Sequence, residues 1–226
     1  MSIHEVILGS HVFAGILALL SGLIPMFTKK GGNVHRKSGI LFFWSMFWVF
    51  FTTITLYLFY NAIFFLLVIG IFSFHMCFTG YRILYRKKAG EHNWLDLAGA
   101  YITLVAGIGV EIYAVNLILS NGFNPLSILS LIFGLFTINN AIADLKMFRM
   151  KHQDEKLWWF YHHMSAMCGA YIATVTAFLV NVAGPYVYQY PFGWLIWILP
   201  AALGVPGVSF WVKYYKQKHG RTRDTT

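Results

Sequence analysis

Seven long, mostly apolar runs leave this chain few ways to fold. They lie at 6–28, 38–60, 62–83, 94–119, 125–148, 157–183 and 192–212. A bilayer core of about 30 Å is crossed by about 20 apolar residues in a helix. The runs are continuous rather than alternating, so they predict helices and not barrel strands. Unbroken, the stretch from 38 to 83 would be about twice a span, and it is divided at Tyr60-Asn61. The expected fold is all-α: a polytopic membrane bundle of about seven transmembrane helices, one domain over 1–212, followed by a basic tail over 213–226.

Only 11% of the 226 residues are charged, against about 25% in a soluble domain. That is too little charge to cover a globular surface, and it excludes a soluble fold and disorder alike. The net charge of +9 raises nucleic acid as a partner until the charges are located. Lys29, Lys30, Arg36 and Lys37 follow the first run. Arg82, Arg86, Lys87 and Lys88 end or follow the third, and Lys146, Arg149, Lys151 and Lys156 end or follow the fifth. Lys213, Lys216, Lys218, Arg221 and Arg223 follow the seventh. All 17 therefore fall on one side of the membrane. By the positive-inside rule that side is the cytoplasm, with the N-terminus outside and the C-terminus inside. The expected partner is a bilayer with anionic lipid on its cytoplasmic face. Nucleic acid is not needed, and a membrane protein partner or a second copy remains open.

Cys77 and Cys168 lie within apolar runs and read as small buried hydrophobes rather than a disulfide framework. The N-terminus lacks the basic region of a signal peptide, so the first run is expected to stay as an anchor. No lipidation motif ends the sequence. Trp94, Trp158 and Trp159 on one side and Tyr186, Tyr188, Tyr190 and Trp194 on the other read as interfacial belts.

Polar groups within the runs are the functional candidates, because each costs free energy in hydrocarbon. Depths follow from a rise of about 1.5 Å per residue. His75 and His163 come out level in the inner leaflet. His162, Asn140 and Asp144 lie near that level and His35 lies just below it. His11 and Glu111 fall at similar depth in the outer half. His11, Gly15, Ala18 and Gly22 share one helix face, whose small residues admit another helix or a flat cofactor.

Imidazole is the commonest metal ligand and titrates near neutral pH. Two imidazoles on facing helices can hold a haem iron, so one expectation is haem b, or a divalent metal, serving electron transfer. His75 and His163 are the expected ligands, with Asp144 as a further metal ligand. His35, Arg36 and Arg82 would serve at the cytoplasmic edge, and Asn140 and Asp144 would support the ligands. A proton-coupled carrier would instead use an outer pair, His11 and Glu111, with the inner cluster. A structural or assembly subunit would use the same groups only as interhelical contacts. The last run has no interior lysine for a retinal Schiff base. No phosphate-binding glycine loop, nucleophile elbow or His-Glu-x-x-His run is present. No catalytic residue is indicated, and an enzyme here would be a membrane oxidoreductase.

The first helix histidine, His11, is followed by Lys30-Gly31-Gly32-Asn33-Val34-His35-Arg36-Lys37-Ser38-Gly39. With Thr79-Gly80-Tyr81-Arg82 and the stretch from His163 to Phe178, this pattern resembles an uncharacterised bacterial family of multi-pass membrane proteins, named only as a domain of unknown function. The resemblance covers most of the first three runs and the sixth. It implies that His11, His35, Arg36, Gly39 and His163 matter, and that the setting is a bacterial inner membrane.

Overall fold

A computed structural model describes residues 2–151 and 155–221. It is all-helical. In chain order the helices are α1 (Ile3–Phe27), α2 (Asn33–Tyr60), α3 (Phe64–Arg82), α4 (Trp94–Asn121), α5 (Pro125–Phe148), α6 (Trp158–Val182), the single turn α7 (Gly184–Val187) and α8 (Leu199–Arg221). Short 3-10 turns follow α3 and precede α8. Seven of the helices are long and apolar enough to cross a membrane.

Local chemistry sets the boundaries. Ser2 with Glu5, Asn93 with Asp96 and Asn124 with Ser127 form reciprocal capping boxes that start α1, α4 and α5. Asn61 ends α2 in the left-handed region at φ 54°, where an asparagine is tolerated best after glycine. This is the position at which the long apolar stretch was divided. At the end of α1, Lys30 Nζ donates to the carbonyls of Pro25 (2.8 Å) and Met26 (3.0 Å). A cation there satisfies orphan carbonyls and meets the negative end of the helix dipole.

The last span differs from expectation in detail. Its start is a 3-10 turn (Gly193–Trp197), preceded by the single turn α7, and α8 then runs through Arg221, so the basic segment from 213 continues as helix. Residues 222–226 lie outside the described residues.

α3 is the central helix, packing on α2, α4, α5 and α6. α1 pairs with α2 and also touches α6, α4 pairs with α5, and α8 rests on α6. On α1 the face turned inward is Ala14, Ala18, Ser21 and Gly22. A Cβ at Gly22 would lie 2.5 Å from the Tyr171 ring and 2.8 Å from Phe42, so only glycine admits both aromatics there. Gly15, grouped with this stripe on sequence, has open space in front of it.

The alternating helices gather the basic loops at one end, called the basic end here. Contacts tie that end together. Trp158 Nε1 donates to the Lys87 carbonyl at 3.1 Å, and Lys216 pairs with Glu155 at 2.8 Å. Lys30 sits 4.5 Å from the Trp211 ring centroid and Lys87 4.4 Å from that of Trp159. The opposite end is aromatic, with Tyr188, Trp194 and Trp197 around an uncharged cavity of about 620 Å³.

Candidate functional site

Two polar assemblies occupy the basic end, one on each side of α3. The first is a buried charge cluster joining α3, α4, α5 and α6. Arg82 holds Asp96 in two parallel bonds of 3.0 Å each. Arg86 approaches the same carboxylate at 3.5 Å and donates to Thr79 Oγ1 at 3.4 Å. Its guanidinium also lies 5.0 Å from the Phe148 ring centroid. Asp144 stands between two histidines: its Oδ2 is 3.0 Å from His75 Nε2 and its Oδ1 is 3.8 Å from His162 Nε2. The His75 contact is close yet out of line for a ring N–H bond, so both atoms stay without an aligned partner. Arg86 Nε and Nη1 and His162 Nε2 are likewise buried without a hydrogen bond among the described residues.

Two arginines and two aspartates make this cluster formally neutral when its histidines are neutral. Such compensation is what lets charges persist away from water.

The second assembly is a cavity of about 530 Å³. It is built by the ends of α1 and α3, the starts of α2 and α6, the loops beside them, and α8. Its charged lining is Lys30, Arg36 and Lys87, with His35 and His163 beside them and no carboxylate. Tyr81, Trp159, Phe160 and Trp211 supply aromatic walls, and Met26, Met164 and Met167 supply soft apolar ones.

Both cavity histidines are fixed in the same manner. His35 Nδ1 is 3.2 Å from the Pro25 carbonyl and His163 Nδ1 is 2.6 Å from the Gly80 carbonyl. A carbonyl accepts only, so each Nδ1 carries a proton and, in the neutral ring, each Nε2 keeps its lone pair. The two ring centroids are 6.3 Å apart, with planes inclined at 59°.

The sequence-predicted residues therefore divide. His35, Arg36, Gly39 and His163 line the cavity together. His75 does not join His163. It is turned to Asp144, whereas His163 contacts the backbone of Gly80, five residues farther along α3. At about 1.5 Å per residue that is roughly 7 Å nearer the basic end. Among the described residues no group of three or more His, Cys, Asp or Glu side chains has an arrangement that could hold a metal ion. The expected metal set of His75, His163 and Asp144 is thus not assembled. Arg82 is committed to Asp96 and does not line the cavity. Asn140 donates to its own helix at Phe136 rather than supporting a ligand.

The expected outer pair is not assembled either. His11 Nδ1 lies 2.8 Å from Thr52 Oγ1 on α2. Glu111 packs against Gly134 on α5 and leaves Oε1 buried without a partner among the described residues. α1 packs on α2 and α6, while α4 packs on α3 and α5, so equal depth does not bring His11 and Glu111 into contact.

Sequence reasoning missed Arg86, Lys30, Lys87 and Trp211 as members of these two assemblies. The adjacent pair His162 and His163 carried a usable signal. Neighbouring residues on a helix point about 100° apart, so one histidine serves each side of α3. Compared with known proteins, the chain matches no family model, no curated protein and no solved structure.

Proposed function

We propose that this chain is a multi-pass protein of a bacterial plasma membrane, with its N-terminus outside and its basic end in the cytoplasm. Its cavity there binds an amphipathic anion, a ligand with an apolar or flat body and a carboxylate or phosphate head. One observation carries this reading: every charged side chain of the cavity wall is a cation, and the rest is largely aromatic or apolar. Low-dielectric walls strengthen the attraction of such cations for an anionic head. Lys30, half-buried and seated on Trp211, is already partly stripped of water, which reduces the cost of engaging it. A bare metal cation suits the site poorly, since three cations and no carboxylate line it. The position of the basic loops supports the orientation, and the resemblance noted above supports the bacterial setting.

The test is equilibrium binding of palmitate and of its neutral amide to the purified full chain in uncharged detergent. Palmitate is expected to bind at least about tenfold more tightly, a difference of about 1.4 kcal/mol. The Arg36→Glu/Lys87→Glu double variant is expected to erase the preference. Equal binding of acid and amide by the parent protein would refute the reading.

Burial lowers the Lys30 ammonium from its ordinary value, although the nearby Cys168 partly opposes the shift. Its charge is present below that lowered value and is lost as pH rises through it. Palmitate affinity should therefore fall as the pH becomes alkaline, and fall later in Lys30→Arg, whose guanidinium stays charged. Identical pH profiles for the two proteins would remove Lys30 from the binding surface.

The carrier reading retains one specific observation, the buried His75–Asp144–His162 array. It loses its outer partner, because His11 and Glu111 are not in contact.

A further inference from the structure

We infer that the ligand of the basic cavity is haem b, held through its iron by His35 and His163. The inference rests on the reading of the cavity as a site for an amphipathic anion, and it names the ligand. The two histidines come from different helices, α2 and α6, and converge on one space. Each is anchored through Nδ1 to a backbone carbonyl, of Pro25 and of Gly80. That anchoring fixes the tautomer with a free Nε2 lone pair, the arrangement by which proteins orient a ligating imidazole.

The spacing is that of two imidazoles sharing one ion when their Nε2 atoms face each other. Two imidazoles bound on opposite sides of one ion at about 2.0 Å per bond have ring centroids roughly 6 Å apart. The rings stand at 6.3 Å. Rotation about such an axis is free, so an inclination of 59° is compatible with it.

The surroundings fit the rest of the group. Lys30, Arg36 and Lys87 match two carboxylates at one edge of a flat macrocycle. Trp159, Tyr81 and the lining methionines offer an aromatic and apolar wall for its ring. Gly39, on the same lining, has open space in front of its Cα, leaving room beside His35. When bound, haem b supplies one-electron chemistry at its iron. The chain's own part is to supply two neutral imidazoles and neutralise the carboxylates.

The test uses the full chain in detergent, titrated separately with haemin, with metal-free protoporphyrin IX and with palmitate. Haemin is expected to bind one per chain and give a six-coordinate low-spin spectrum whose bands sharpen on reduction with dithionite. His35→Ala and His163→Ala are each expected to lose that spectrum and at least about tenfold in haemin affinity. Protoporphyrin IX presents the same carboxylates without iron, so its affinity should change less than about twofold in both variants. His163→Met guards against misfolding, since a thioether replaces the imidazole and should shift the spectrum rather than abolish it.

If haemin binds no tighter than protoporphyrin IX, or both alanine variants keep the parent spectrum, the haem assignment is overturned while the cavity reading stands. If haemin, protoporphyrin IX and palmitate all fail to bind, both are overturned.

Discussion

Asp96→Ala should destabilise the folded protein by about 3–5 kcal/mol, the cost of removing one partner from a buried ion pair. Asp96 is 2% exposed and accepts both bonds from Arg82 at 3.0 Å. It also faces the buried Arg86, which would lose its nearest counter-charge. The same side chain accepts the Asn93 backbone N–H at 2.9 Å, closing the box that starts α4. Losing that half of the box adds about 0.5–1.5 kcal/mol, the net worth of one hydrogen bond, while Asn93 still caps the helix. Asp96→Asn separates the two effects, because it keeps an acceptor for the cap and removes only the charge. The expected order in a thermal melt of the detergent-solubilised protein is parent, then Asn, then Ala. A loss under about 1 kcal/mol in Asp96→Ala would mean that the arginines find other partners or water.

Asp144→Ala is the second large effect. Asp144 and His75 are each about 5% exposed at the side chain, and His162 approaches from α6. Removing the carboxylate takes the nearby counter-charge from two imidazoles and leaves the otherwise neutral cluster with one uncompensated positive charge, again about 3–5 kcal/mol. The effect should be coupled to His75. In a double-mutant cycle with His75→Ala the interaction term is expected at about 0.5–3 kcal/mol. Additive losses would show that the 3.0 Å approach contributes no energy of its own.

Neither variant touches the cavity wall, so palmitate affinity per folded molecule should be unchanged in both. That separation follows from α3, which stands between the charge cluster and the cavity. Thr79 and Arg82 face the cluster, whereas Tyr81 lines the cavity and the Gly80 carbonyl receives His163.

Much of this was legible in the residues, because membrane burial writes itself in one dimension. Apolar length gave seven spans, and the Tyr60-Asn61 division falls where the backbone turns left-handed at Asn61. Positive charge marked the end at which the polar groups gather. The partners were not legible, because depth along the membrane normal says nothing about which helices touch. His11 and Glu111 share a depth, but their helices do not pack on each other. His75 and His163 come out level on sequence, yet His75 projects from α3 to Asp144, whereas His163 meets the Gly80 carbonyl, more than a helical turn farther along α3.

On sequence, Arg82 is expected to serve at the cytoplasmic edge of the site. Its true partner, Asp96, lies 14 residues on, across the loop that joins α3 to α4. The local signal for that pair was present: an acid three residues after Asn93 in a capping position, facing a basic helix end.

The cavity itself could not be read from any one segment, since its wall draws on five of the long helices. The short motif from Lys30 to Gly39 nevertheless contributes five of its lining residues: Lys30, Gly31, His35, Arg36 and Gly39. A helix start carrying His-Arg and a glycine one turn later was the strongest single pointer in the chain.

The central claim is the place and polarity of ligand binding, and photolabelling tests it most directly. The full chain in uncharged nanodiscs would be irradiated with a palmitate analogue bearing a diazirine near its carboxylate. The account predicts labels on cavity residues such as Met26, Tyr81 and Met164, reduced in the Arg36→Glu/Lys87→Glu variant and by excess palmitate. Labels spread over lipid-facing side chains such as Phe13, Phe51 and Phe210, unchanged by competitor or charge reversal, would contradict it.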